Sequence, residues 1–231
     1  VGHLIVLDTE TTDLDPDKGA KLIEIAWIEL SDTTGKWEPT FSVEARIQYD
    51  GPISPQAQAV HHIRSDMLTE EAGAVKRYEL ITTLLNRMQP DTFFIAHNAG
   101  FDSRFLPEIN RPWICTMRSA KFIWPNAPSY SNQVLRYWLK LEPEIPPGKF
   151  PHQAIYDVTV TTGILMEMLK RYTPQQLLQI TTTPFKLKTI PFGKHRGMSF
   201  EQIPVDYLRW LQSQSDLDAD LKHTIDSILK P

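Results

Sequence analysis

The sequence predicts an α/β domain on a mixed sheet, followed by a small α/β module. Three observations predict it. Strand signals come first as a meander with a glycine-marked turn, which implies antiparallel pairing. Strands then alternate with helical segments, which implies parallel pairing in the same sheet. After "TTTP" (Thr181 to Pro184) strand, turn and helix signals start afresh, so residues 1–180 and 185–231 read as separate units.

The first strand is "LIVL" (Leu4 to Leu7), an apolar run that reads as buried on both faces. "KLIEIAWIEL" (Lys21 to Leu30) and "FSVEARI" (Phe41 to Ile47) are two more strands, with Gly35 in the turn between them. Pro55 opens the helical "PQAQAVHHI", and "AVKRYELITTLLNRM" is an amphipathic helix. "DTFFIAHN" is a fourth buried strand ending in polar residues, and "PWICTM" contains a short strand-like run. Helical segments follow around Asp102, from Met117 to Trp124 and from Ser131 to Leu141. Pro143, Pro146, Pro147 and Gly148 make the loop before a long helix from about Gln153 to Tyr172.

Hydrophobic content of 41% and charged content of 23% are those of a soluble globular protein. The apolar run at Leu4 is too short for a signal peptide, and no segment approaches the ~20 apolar residues of a membrane span. The single cysteine, Cys115, reads as a buried inert thiol, which fits a reducing cytoplasm. The net charge of −4 hides an uneven distribution. Arg104 to Lys140 holds six Lys or Arg and one acid, interleaved with aromatic residues, while acids crowd the region around Asp8. An acid cluster beside basic, aromatic stretches suits a metal-dependent enzyme acting on a polyanion.

"LDTETT" places Asp8 and Glu10 two residues apart, on one side of the first strand. By themselves they read equally well as a solvated acidic turn, since Asp13, Asp15 and Asp17 follow. "AHNAGFDSRF" then places Asp102 after the fourth strand, entering a helix. "FPHQAIYDVTV" puts His152 in a loop and Asp157 in the first turns of the long helix. Each alone has an ordinary explanation, because the helix dipole favours acids near helix starts. Together, four carboxylates from three segments match the oxygen donors that two Mg²⁺ ions require, with Mn²⁺ as a substitute. Such a pair of ions holds the attacking and leaving oxygens of a phosphoryl displacement, and imidazole is the side chain suited to take the water's proton. No Walker-type glycine loop, zinc-spaced Cys pair or nucleophile elbow competes.

These three motifs, in this order over residues 4 to about 172, resemble the DnaQ-like, or DEDD, 3′–5′ exonucleases of ribonuclease H-like fold. The resemblance implies a mixed five-stranded sheet flanked by helices, with Asp8, Glu10, Asp102 and Asp157 as metal ligands and His152 as general base. His152 and Asp157 have the spacing of the histidine branch; the tyrosine branch needs Tyr where this chain has Gln153. "ISPQAQAVHHI", "WICTM", "WPNAPSYSN" and the tail "FGKHRG" with "YLRWL" further resemble the bacterial exodeoxyribonucleases of the family. That implies Mg²⁺-dependent, distributive removal of nucleotides from DNA 3′ ends, single-stranded or duplex, in repair and recombination. The chain departs from the family at Thr12 and Asp13, where many members carry a small residue or Gly. Two other readings stay open: the same chemistry on RNA or as a polymerase proofreading subunit, and a non-catalytic nucleic-acid-binding module. The tail speaks against the proofreading subunit, and the presence of all four acids speaks against the dead module.

Around the metals, Thr11 offers backbone and hydroxyl contacts to a terminal nucleotide. Leu14, apolar in an acidic loop, reads as a wedge under the last base or as a plain packing residue. The resemblance adds His61 and Ile63 to the nucleotide pocket. In the tail, Lys186, Lys188, Lys194 and Arg196 surround a turn bounded by Gly193 and Gly197, either as strand-tracking cations or as the solvated face of a cap. Tyr207, Leu208, Trp210 and Leu211 are expected to form that module's core, docked on the larger domain or on the second subunit of a homodimer.

Overall fold

A computed structural model describes residues 2–32, 34–214 and 217–230. The chain divides into two units, residues 1–181 and 182–231.

In the larger unit, Gly2–Thr11 (β1), Leu22–Asp32 (β2) and Trp37–Arg46 (β3) form the antiparallel meander. Phe93–Ala96 (β4) and Trp113–Cys115 (β5) add to it in parallel, giving a mixed sheet of order β3-β2-β1-β4-β5. The first hairpin closes over Gly35, whose φ of +81° suits glycine and whose N–H donates to Asp32 Oδ1 at 2.7 Å. Strand β3 begins at Trp37, earlier than the sequence pattern suggested, because Trp37 pairs with Asp32 across the turn.

Alternation along β1 decides which layer each residue joins. Leu4 and Val6 pack with Ala154–Leu169 (α6), along with Thr116–Ile123 (α4) and Asn132–Trp138 (α5). Ile5 and Leu7 pack on the opposite face with Arg77–Asn86 (α2) and Ala99–Phe105 (α3). All four are fully buried, at about 1.5–3 kcal/mol each. That burial fixes the register of β1 and therefore the sides to which its last residues point. Helix α6 is apolar almost all round, as befits a helix enclosed between the sheet and its neighbours. Pro55–His61 (α1) is capped by Ser54, whose hydroxyl accepts from Ala57 N–H, and Pro174–Thr182 (α7) closes the unit. Among the described residues no helix is long and apolar enough to cross a membrane.

The smaller unit packs Val205–Gln212 (α8) against Ala219–Leu229 (α9). The strand signal at Phe185 becomes an extended segment, because its N–H groups bond to side chains rather than to a strand. Phe185 N–H donates to Asp220 and Leu187 N–H to Thr224, both on α9. Its β pairing among the described residues is a single bridge, Thr189 with Ser199. The core is Ile190, Phe200, Ile203, Leu208, Leu211, Leu221 and Ile225. This corrects the expected core: Tyr207 is half-buried at its edge, and Trp210 is 55% exposed. Leu208 and Leu211 share a helix face, and Trp210 projects from another.

Candidate active site

Strand parity sorts the acids. Asp8 and Glu10 continue the row of Leu4 and Val6, so they stand on the α6 side, and Asp157 meets them from the first turn of α6. One carboxylate oxygen from each of Asp8, Glu10 and Asp157 lies within 4.8 Å of the others. Thr9, of opposite parity, donates its hydroxyl to Asp102 Oδ1 of α3 at 2.7 Å. Asp102 is therefore held by the neighbouring layer, outside that trio yet close enough to repel both Asp8 and Glu10.

The electrostatics follow from this crowding. Burial first, then repulsion by Asp102, Glu10, Asp157 and Glu24, pushes the Asp8 pKa well above the carboxylate range. Burial, then Glu24 and Asp157, pushes Glu10 up to about 9. Burial raises Asp102 to about 7, against the pull of the Thr9 hydroxyl. Asp157 is raised by burial and pulled back by the His152 backbone N–H, which donates to Oδ2 at 2.7 Å; Gln133 of α5 donates to Oδ1 at 3.2 Å. Oxygen-only donors that repel one another are the donor chemistry of a hard divalent cation, which removes the repulsion.

His152 occupies the left-handed region at φ +66° and is exposed, just before α6. Its backbone bonds Asp157, which leaves the ring facing solvent beside the cluster. Thr11 is buried, its hydroxyl donating to the Asp13 carbonyl at 2.7 Å. The His61 ring is buried and neutral: Nδ1 accepts from Ile63 N–H at 2.9 Å, so Nε2 carries the proton and donates to the Thr11 carbonyl at 3.2 Å. Ile63 packs with Ile23 and Leu68, and its side chain is 3% exposed. Leu14 stands out at 74% exposure. The structure thus joins Thr11 to His61 and leaves Leu14 alone at the tip of its loop.

Three residues escaped the sequence reading. Glu24 lies opposite Glu10 in the β1–β2 register and opposite Arg46 in the β2–β3 register. It pairs with Arg46 at 3.2 Å and accepts the Ala154 N–H at 3.1 Å, so it pins the start of α6 beside Asp157. Its signal was an acid inside the apolar run "KLIEIAWIEL". Gln133 gave no signal. Arg104 of α3 pairs with Asp15 at 2.5 Å and Asp17 at 2.9 Å, clamping the loop that carries Leu14.

The sequence model of a family described as "Exonuclease" matches residues 5–165, and one described as "Putative quorum-sensing-regulated virulence factor" matches residues 173–227. The chain is similar to Exodeoxyribonuclease 10 of Escherichia coli strain K12, 34% identical over 97% of this chain and 99% of the relative. It is also similar to the DNA polymerase III subunit epsilon of Rickettsia typhi, 36% identical over 44% of this chain and 42% of the relative. A solved structure of exonuclease X in complex with 5′-overhanging duplex DNA superimposes with a TM-score of 0.63 at 34% identity, covering 77% of this chain and 99% of that one. The family match over most of the chain and the near full-length relative agree, and the chain belongs to the exonuclease family and is a nuclease.

Proposed function

We propose that the protein is a 3′–5′ exodeoxyribonuclease that hydrolyses the terminal phosphodiester of DNA with two Mg²⁺ ions, Mn²⁺ substituting. The convergence of Asp8, Glu10 and Asp157 within 4.8 Å carries this reading, with buried Asp102 as the fourth ligand. Ions held there supply Lewis acidity to phosphate oxygens and water. The His152 ring, kept at the rim by its turn, takes a proton from the attacking water at a ring nitrogen. The Thr11 backbone, fixed by His61, positions the terminal nucleotide with Ile63 behind it. Exposed Leu14 separates the last base from its partner. The relative solved with duplex DNA supports a DNA substrate. The reading assigns the chemistry to residues 1–180 and keeps residues 185–231 as a separate module. Lone, buried Cys115 supports a reducing cytoplasm as its place of work.

The test is digestion of 5′-labelled and 3′-labelled single-stranded DNA, duplex DNA and RNA side by side, with Mg²⁺ or with EDTA. The expected result is a ladder on 5′-labelled DNA and immediate loss of the label on 3′-labelled DNA, with EDTA stopping both. Shortening from the 5′ end, or cleavage of RNA in preference to DNA, overturns it.

A further inference from the structure

The smaller unit carries an aromatic and cationic face that this chemistry does not use. Residues 190–198 fold into successive tight turns. Gly197 N–H donates to the Ile190 carbonyl at 2.9 Å, Arg196 N–H to Gly193 at 3.1 Å and Met198 N–H to His195 at 3.0 Å. Gly193 has φ +73°, and a Cβ there would stand 2.8 Å from the Tyr207 hydroxyl. The turn is therefore pressed against α8 as closely as backbone allows. Its side chains surround Tyr207: the His195 ring meets it edge-on at 4.6 Å, and Lys194 Nζ lies 5.7 Å from its centre. Trp210 joins from the next turn of α8, 5.4 Å away and tilted by 35°. Trp210 is 55% exposed and Phe192 45%. Among the described residues no carboxylate pairs with Lys194 or Arg196. Between Phe185 and Gln214 five Lys or Arg stand against Glu201 and Asp206, in a chain whose net charge is −4.

We propose that this face is a second nucleic-acid site, which holds an unpaired DNA strand. Trp210, backed by the Tyr207 ring, stacks on a base, and Lys194 and Arg196 neutralise the flanking phosphates. The two halves of the face select the occupant together. Cations call for a polyanion, and exposed rings call for one whose base faces are open, as in a single strand. An acidic protein would satisfy the cations and leave the rings in water; a duplex would do the same. The choice of DNA rests on the function proposed above; the aromatic and cationic geometry does not.

The test uses the full chain in EDTA and a fluorescent oligothymidylate of about twenty nucleotides, read by anisotropy across a salt series. Trp210→Ala and Lys194→Glu are each expected to weaken binding by about tenfold, and Lys194→Glu also to lower the salt slope by about one. Both side chains project into solvent, so melting temperatures should barely move, and a duplex of equal length should bind more weakly. With Mg²⁺, KM for the oligothymidylate should rise while kcat holds. Unchanged affinity in the Trp210→Ala, Lys194→Glu double variant overturns the proposal, as does a change of oligomeric state in place of lost binding. Failure of the unmodified protein to hydrolyse a thymidine 5′-phosphate ester would sink the exonuclease reading and leave the binding result standing.

Discussion

A backbone N–H joins His152 to the acids, and that separates two roles that one substitution usually confounds. His152→Ala keeps the bond to Asp157 and removes the imidazole. The expected loss is on the order of 10²–10⁴ in kcat, with Mg²⁺ affinity unchanged by calorimetry. A variant with the original rate would leave His152 as a turn residue. His152→Gly should be as inactive but melt higher than His152→Ala, because φ of +66° costs an alanine about 1 kcal/mol. Glu24 invites the opposite sign from most buried polar substitutions. Two acids directly opposed across β1 and β2 repel, so Glu24→Gln should raise the melting temperature in EDTA and shrink the gain on adding Mg²⁺. A lower melting temperature in EDTA would mean that the Arg46 pair outweighs the repulsion. Asp8 and Glu10 became legible in the sequence only together with Asp102 and Asp157, because alone they read equally well as a solvated acidic turn. Glu24 was not legible, because a single acid in a strand mimics the alternation of a half-exposed one, while here it is buried.

At the scale of elements, the loop between β1 and β2 is held at both ends and clamped in its middle. Thr12 N–H donates to the Lys21 carbonyl at 2.8 Å, and Arg104 grips Asp15 and Asp17 from α3. The grip is solvent-exposed, so Arg104→Ala should hardly change stability. It should nonetheless reproduce Leu14→Ala: slower duplex digestion with single-strand digestion almost intact, because Leu14 loses the fixed height that the proposed strand separation needs. Equal losses on both substrates would detach Leu14 from strand separation. The sequence showed three acids in this loop as a solvated turn; Arg104, which grips Asp15 and Asp17, lies 89 residues away in sequence from Asp15, where no local pattern reaches. Trp210 was misplaced for a different reason. An aromatic cluster in a short module invites a core, but helix geometry gives that core to Leu208 and Leu211.

For the whole molecule, the acid cluster couples folding to pH and metal. Glu10 and Asp102 rise from their ordinary 4.5 and 3.8 to about 9 and about 7, so the folded chain binds more protons than the unfolded one over that interval. Stability from these groups is therefore fully present below about pH 4 and is lost as pH climbs toward about 9. In EDTA the melting temperature should fall between about pH 5 and pH 8, and Mg²⁺ should restore most at the upper end. A melting temperature flat across that range, with and without Mg²⁺, would show that the acids ionise without strain. The mixed pairing was legible in outline, from a meander followed by strand–helix alternation, while the order β3-β2-β1-β4-β5 comes from the structure.

The row on β1 that aims Asp8 and Glu10 at α6 also sets a clock. Asp8 leaves the ribosome about 150 residues before Asp157. At ~5–20 residues per second, roughly 7–30 seconds of synthesis separates the two. A growing chain thus displays its meander, and even Asp102, while its trio of acids lacks a member. Nascent chains stalled before residue 150 should leave nearby DNA intact, and chains released after residue 180 should degrade it.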